Sequence, residues 1–311
     1  MAIVIRYLIF QLFIILPFIL GYLFKKIYPQ AENNVKKIVK LNLLTFQSLL
    51  FFLSCLKLQL NRSLVVLPIS GMLIVIIGFV IGIFFVRIFS FLYKDRVNFQ
   101  ISASLGNHGF TMGGFICYLI LDEIGLNYSV LFVSYFTFYF SFFLFPYARS
   151  KSKSNLQNNF GILSYIIQDY NLSFVFIVSG LILNYFGLKA EYFSFIPLNL
   201  ILYISVSIQF FSLGLTFHFN SIGQYIKAHV VLGSIKFLLL PFFVISVLHF
   251  TNFSEIIEKV IIIEAFMPVA VFSVITSALF DHNTRYASSL FVVNTLVFIV
   301  IVLPFIFIFL S

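Results

Sequence analysis

The 311-residue chain has no tryptophan, two cysteines and 10 acidic residues, and charged residues of both signs make up 9% of it. A soluble domain carries roughly 25% charged residues. This chain therefore has too little polar surface to enclose a water-soluble globule. Cys55 and Cys117 both fall in apolar stretches, so they supply neither a disulfide framework nor a Cys-based metal site. HExxH, a DDxxD-like acidic pair, GxSxG and a phosphate-binding GxxxxGK[ST] are all missing. The nearest acid clusters, Asp122-Glu123 and Asp281-His282, read as solvated turn residues. The chain is therefore expected not to be an enzyme and to need no cofactor and no metal. What is abundant is apolar: 61% of residues are hydrophobic, 45 are Phe and 16 are Tyr, and the mean hydropathy is +1.10. Disordered chains are poor in aromatics. The solvent this composition fits is lipid.

A formal charge of +9 in a soluble protein would raise nucleic acid as a partner, but here no basic surface interleaved with polar aromatics is present. No nucleic-acid partner is expected. The basic residues cluster in short gaps between apolar runs, as in membrane proteins with basic cytoplasmic loops. No cleavable leader is evident, because the first apolar run, from Arg6 to Phe24, is long enough to be a span itself.

A hydrocarbon core of about 30 Å takes about 20 helical residues. On that scale the sequence divides into ten spans: 3–24, 38–56, 64–90, 99–120, 126–148, 170–187, 193–217, 229–250, 257–280 and 286–310. The second carries Asn42, Thr45 and Ser48 at a spacing of three, one helix face suited to packing inside a bundle. The widest polar gap holds Arg149, Lys151 and Lys153. It splits the chain into a first five-helix unit (1–148), a cytoplasmic linker (149–169) and a second five-helix unit (170–311). An odd number of spans in each half inverts one relative to the other. The fold expected is an all-α integral membrane protein of two inverted repeats, an architecture common in secondary transporters. Of the 19 Lys and Arg, 13 lie on the side of the odd-numbered gaps and 5 on the other, with Lys236 inside span eight. That bias makes the odd gaps cytoplasmic and places both termini outside.

Two spans depart from plain apolar helix. Span four holds Gly106, Asn107, His108, Gly109, Gly113 and Gly114. Small-residue packing explains one or two glycines. Four, with Asn107 and His108 between them, point to an unwound segment lining a cavity, with the glycines and these polar side chains as substrate contacts. Span nine holds Glu264 and Pro268. Proline breaks the helical ladder, and a carboxyl at membrane depth marks an ion path or a partner, or else a hydrogen-bonded link between helices. Both interrupted spans are fourth in their half, the position at which an inverted-repeat carrier builds its site. Broken helices present positive amino ends to anions and freed carbonyls to cations.

Supporting polar groups are Asn42, Gln209, Ser212, Lys236 and Asn294. Ser205, Gln209, Ser212 and Thr216 form one stripe on span seven, explained equally by interhelical bonding and by substrate contact. Lys236 is expected to snorkel to the cytoplasmic face, with pairing to Glu264 as the alternative. Asn294-Thr295, Ser179 and Asn184 are expected to join helices.

Taken together these residues resemble the auxin efflux carrier family, within the bile acid/arsenite/riboflavin transporter-like superfamily. The resemblance runs through Ile14 to Lys26 with Pro17 and Gly21, Asn107-His108-Gly109-Phe110, Ser212-Leu213-Gly214-Leu215, Lys236 to Pro241, Glu264 to Ala270, and Asn294-Thr295 with Leu303-Pro304. It implies ten spans in two inverted repeats, crossing breaks in spans four and nine, and a scaffold past which a transport unit moves as an elevator. It also implies export or uptake of small organic anions of the malonate, malate or auxin type. Asn107 and its backbone neighbours would contact substrate and Pro268 would mark the second break. Met112-Gly113-Gly114-Phe115 stands where the family carries a proline after N-x-G-F. Span three lacks the acid that plant exporters link to proton handling, and their long cytoplasmic loop is absent.

The function expected is thus that of a multi-pass cell-membrane carrier for a small organic anion, with Glu264 coupling transport to H+ or Na+ and the span-four break as the anion cradle. A homodimer is compatible. The alternatives are an uncoupled facilitator or channel, an integral-membrane enzyme acting on a lipid-linked substrate, and a sensor or structural protein with closed, dry breaks.

Overall fold

The computed structural model describes residues 3–109, 112–152, 172–188, 190–216 and 223–310. Phe110 of the family-like motif, Lys153 and most of the 149–169 linker lie outside the described residues. Every regular element among those described is helical, apart from one isolated antiparallel bridge between Gly106 and Val269.

Seven helices among the described residues are long and apolar enough to cross a membrane: α1 (Ile5–Ile27), α2 (Lys37–Leu56), α3 (Arg62–Ile88), α5 (Gly113–Ser150), α7 (Leu198–Thr216), α8 (Gly223–Leu248) and α11 (Thr284–Leu310). α6 (Leu172–Tyr185) is apolar but shorter. The others are short: α4 (Arg96–Ser104), α9 (Glu255–Ala265) and α10 (Val271–Leu279). At about 1.5 Å per residue these last three are too short to cross alone. Large side chains such as Phe242, Phe250 and Ile308 stay exposed, the reverse of a soluble surface and the expected outside of a lipid-facing bundle.

Proline shapes the long helices without ending them. Pro17, Pro146, Pro241 and Pro304 each follow a π-helical segment, at Gln11–Ile15, Phe140–Leu144, Ile235–Leu239 and Phe298–Val302. The ring of a helical proline collides with the carbonyl four residues back and offers it no N–H. Widening the turn moves that carbonyl aside, and the helix continues. A fifth π segment, Leu43–Gln47, has no proline and corrects one expectation for α2. Asn42 and Ser48 are buried but Thr45 is exposed, because the added residue rotates Thr45 off the shared face.

The long α5 is not one rod. Asp122 has φ 56° and ψ −152°. A Cβ on Gly125 would lie 2.4 Å from the Cys117 carbonyl oxygen, whereas eight residues of straight helix span about 12 Å. The chain therefore doubles back at Asp122, and 113–121 and 123–150 form a hairpin. Arg6 binds the Leu119 carbonyl and pairs with Asp122 at 3.2 Å, while Lys57 pairs with Glu123 at 2.8 Å. These turn acids, expected to be merely solvated, tie the hairpin tip to α1 and to the end of α2.

Two packing groups result. α1, α2, α6 and α7 pack on one another, and α3, α4, α5, α8, α9, α10 and α11 pack on one another; the groups meet chiefly where 113–133 touches α1 and α2. Close approach within the first group depends on Gly21 and Gly214, since a Cβ on Gly214 would sit 2.1 Å from the Phe18 carbonyl oxygen. Asn42 of α2 donates to the Ser205 carbonyl of α7 at 3.0 Å, and Asn184 of α6 donates to the Cys55 and Leu58 carbonyls at 2.8 Å each. Asn184 thus joins helices as expected.

Candidate functional site

The helix of α4 stops at Ser104 and resumes as α5 at Gly113, while α9 stops at Ala265 and resumes as α10 at Val271. The two interruptions cross. Asn107 N–H donates to the Pro268 carbonyl at 2.7 Å and Ala270 N–H donates to the Leu105 carbonyl at 3.1 Å. This two-bond bridge satisfies backbone groups that neither helix can satisfy alone, which lipid cannot do either. Asn294 of α11 accepts from Val269 N–H at 2.8 Å. Its role is local and specific: it supplies the acceptor that the helix break denies to the Val269 N–H.

Around the crossing the structure separates the candidate residues into two sets. Asn107, His108, Gly109 and Gln209 line a cavity of about 120 Å³. The cavity lies between the two packing groups. One wall is the crossing, the start of α10 and part of α5; the other comes from α2, α6 and α7, including Gln47, Phe51 and Ser173. Among the described residues no Lys, Arg, Asp or Glu lines it. Gly113, Gly114 and Pro268, expected among the substrate contacts, stand behind this surface, as do Asn42, Ser212, Lys236, Glu264 and Asn294. Pro268 and Asn294 serve the bridge, while Asn42, Lys236 and Glu264 bond to other helices.

Glu264 is fully buried. Its Oε1 accepts from Ser129 Oγ of the returning hairpin arm at 2.5 Å, and its Oε2 has no hydrogen-bond partner among the described residues. A Cβ on Gly113 would fall 2.2 Å from Oε2. The carboxyl thus lies against the first turn of α5, at the positive end of that helix, where negative charge is favoured. Glycine is needed here for space.

Lys236 neither snorkels nor pairs with Glu264. It is 1% exposed, and its Nζ donates to the Ser104 carbonyl at 3.3 Å. Ser104 is the last residue of α4, so the ammonium sits at the negative end of the interrupted helix, the end that favours cations. The freed Ser104 carbonyl gives Lys236 a partner inside the bundle.

His108 folds back over Gly106. Its Nδ1 is 2.7 Å from Tyr135 Oη, its ring meets Phe132 edge to face, and it also interacts with the backbone of Glu264. Ser104 Oγ lies 2.6 Å from Tyr139 Oη and donates to the Val75 carbonyl at 2.8 Å. Ser129, Tyr135 and Tyr139 are the site residues that sequence reasoning missed. Spaced through one helix of an aromatic-rich chain, they carry no signal until the hairpin at Asp122 turns them toward the crossing.

No family model matches the chain, and no curated protein matches it.

Proposed function

We propose that this chain is a secondary transporter of a small organic anion, built as ten spans in two inverted five-helix repeats and related to the auxin efflux carriers. The observation that carries the reading is the cavity at the crossing. It joins two interrupted helices on one side to a separate helix group on the other, the arrangement in which a substrate held by one group can be moved past the other. In this reading α1, α2, α6 and α7 are the scaffold of an elevator, and the remaining helices carry the substrate. Both termini face outside, the 149–169 linker is cytoplasmic, and the chain works in the cell membrane without enzymatic activity.

The cavity wall narrows the substrate class. It offers Asn107 and Gln209 as dipolar contacts among apolar side chains such as Phe51, Phe136 and Phe174, and among the described residues it has no cationic side chain. Such a wall suits one carboxylate on an apolar body better than a dicarboxylate, because each further anionic group must be desolvated without a partner.

Uptake of labelled phenylacetate, indole-3-acetate and malonate into proteoliposomes, with imposed pH and sodium gradients, tests the proposal. Accumulation of a monocarboxylate against its gradient is expected, and Asn107→Ala should weaken its binding without loss of fold. Absence of uptake for all three acids would reject it. A second reading, an uncoupled facilitator, is favoured by one observation: Glu264, the residue proposed to couple an ion, is fully buried and off the cavity. Downhill uptake that ignores both imposed gradients would select that reading.

A further inference from the structure

A carboxylate drawn into an apolar cavity needs a partner for its charge, and one lining residue can supply it. Among the described residues His108 is the only lining side chain that can gain charge near neutral pH. It is half-buried, beside Asn107 in the first interruption. Its bonds suit both of its charge states. Nδ1 is 2.7 Å from Tyr135 Oη, and a phenol can donate to a bare ring nitrogen or accept from a protonated one. The ring also interacts with the backbone of Glu264, next to last in α9, and the carboxyl end of a helix favours a cation. The charged groups nearby are turned elsewhere. Lys236 of α8 acts on the ring through space, but its Nζ is held by the Ser104 carbonyl. The Glu264 carboxyl of α9 is turned to Ser129 and Gly113. Across the cavity, the described residues of α2, α6 and α7 that line it include Gln47 and Gln209 and no ionisable side chain.

We infer that His108, and not Glu264, is the proton-coupling group of the carrier, taking up one proton as one substrate carboxylate enters the cavity. The assignment rests on the carrier reading above and deepens it by naming the coupled ion, H+, and the side chain that carries it. The step balances. A carboxylate and a proton enter from one side, and the neutral imidazole becomes imidazolium with Tyr135 Oη accepting from Nδ1–H. The occupied cavity then has no net charge, and on the other side both ions leave and restore the neutral ring. Each ion favours binding of the other, and that coupling is reciprocal. A proton on Glu264 would instead sit behind the cavity surface, apart from the substrate. One imidazole also matches one carboxylate, so a dicarboxylate would bring a second charge that finds no partner in the wall.

The test counts protons. Binding of phenylacetate, malonate and uncharged phenylacetamide to the purified full chain is measured by calorimetry in phosphate and in Tris, whose different heats of protonation reveal protons taken up. Measurements run from about pH 6 to about pH 8, above the range in which a carboxylic acid titrates. Wild type, His108→Gln and Glu264→Gln are compared, with unliganded thermal melts as the folding control. Wild type is expected to take up about one proton per phenylacetate near the upper pH, and its affinity to rise roughly tenfold for each unit of falling pH while the ring starts neutral. His108→Gln, whose amide can still bond Tyr135 Oη, should lose both the uptake and the pH dependence. Phenylacetamide should bring no proton with it. Proton uptake undiminished in His108→Gln would overturn the assignment. Wild type that binds phenylacetate without a proton would overturn it too, and leave the carrier reading standing. Wild type that binds neither acid removes the carboxylate reading and this assignment with it. Should His108→Gln fail to fold, Glu264→Gln decides: about one proton per phenylacetate is expected, and its loss there would move the coupling to the carboxyl and overturn the proposal.

Discussion

The backbone N–H of Asn107 donates to the carbonyl of Pro268 at 2.7 Å, joining two residues 161 positions apart at the point where both of their helices are interrupted. The bond is one of a pair, with Ala270 N–H to the Leu105 carbonyl as the other. Each break is thereby stabilised by the other, and neither segment can refold into helix without orphaning its partner. The crossing is a fixed piece of non-helical backbone on which side chains can be aimed at the cavity.

The contact between Gly113 and Glu264 makes the first prediction. Gly113→Ala puts a Cβ 2.2 Å from Glu264 Oε2, and overpacking of this kind costs about 1–3 kcal/mol. Thermal melts in detergent should show the loss. In the double variant Gly113→Ala/Glu264→Ala the clash is gone, so the two effects should be non-additive by roughly 0.5–3 kcal/mol. Simple additivity would mean that the two groups do not touch.

Asn294→Ala removes the acceptor of the Val269 N–H. A buried donor left unsatisfied costs about 1–3 kcal/mol, so a clear fall in melting temperature is expected, together with impaired transport. The control is Asn199→Ala, an exposed residue whose side chain only bonds its neighbour's N–H. Equal effects of the two substitutions would remove Asn294 from the support of the crossing.

Asp122 sits at φ 56° and ψ −152°, close to backbone space that is essentially reserved for glycine and costs about 1–3 kcal/mol for other residues. Its ion pair with Arg6 has a largely exposed carboxylate and is worth about 0–1 kcal/mol. Asp122→Gly should therefore hold or raise the melting temperature. A marked decrease would show that the Arg6 pair, not the backbone, governs the hairpin tip.

Glu264→Gln keeps the size of the side chain and an acceptor for Ser129 Oγ, so folding should be preserved. If Glu264 couples an ion, uptake in this variant loses its dependence on the imposed pH or sodium gradient while downhill flux survives. Wild-type gradient dependence in the variant would falsify the coupling role of Glu264.

Much of this organisation is legible in the residue order, because membrane depth leaves few solutions. Scarce charge and long apolar runs dictate helices in lipid, and Pro268 and the glycine cluster at 106–114 announce interruptions in segments that should otherwise be plain. Asn107 is recognisable as a cavity residue because a polar group in such a segment needs a reason, whereas Gln209 reads equally as a cavity residue and as a link between helices. Other choices are open in the sequence. Lys236 can snorkel or stay, and a flexible four-carbon stem does not decide between them; the freed Ser104 carbonyl does. Glu264 reads first as an ion-coupling residue, with a link between helices as the alternative, and residue order does not name its partner Ser129.

The sequence by itself determined the solvent, the helical class and the places where helices fail, since those follow from composition, run length and the backbone chemistry of proline and glycine. Only the tertiary structure decided which failed ends face one another and which charge stands at each. A helix end is an electrostatic site whose partner comes from a different helix, more than a hundred residues away in the case of Lys236 and Ser104. The hairpin at Asp122 and the π segments set which side chains reach it. That is why Ser129, Tyr135 and Tyr139 carry no signal in sequence and meet Glu264, His108 and Ser104 in the folded chain.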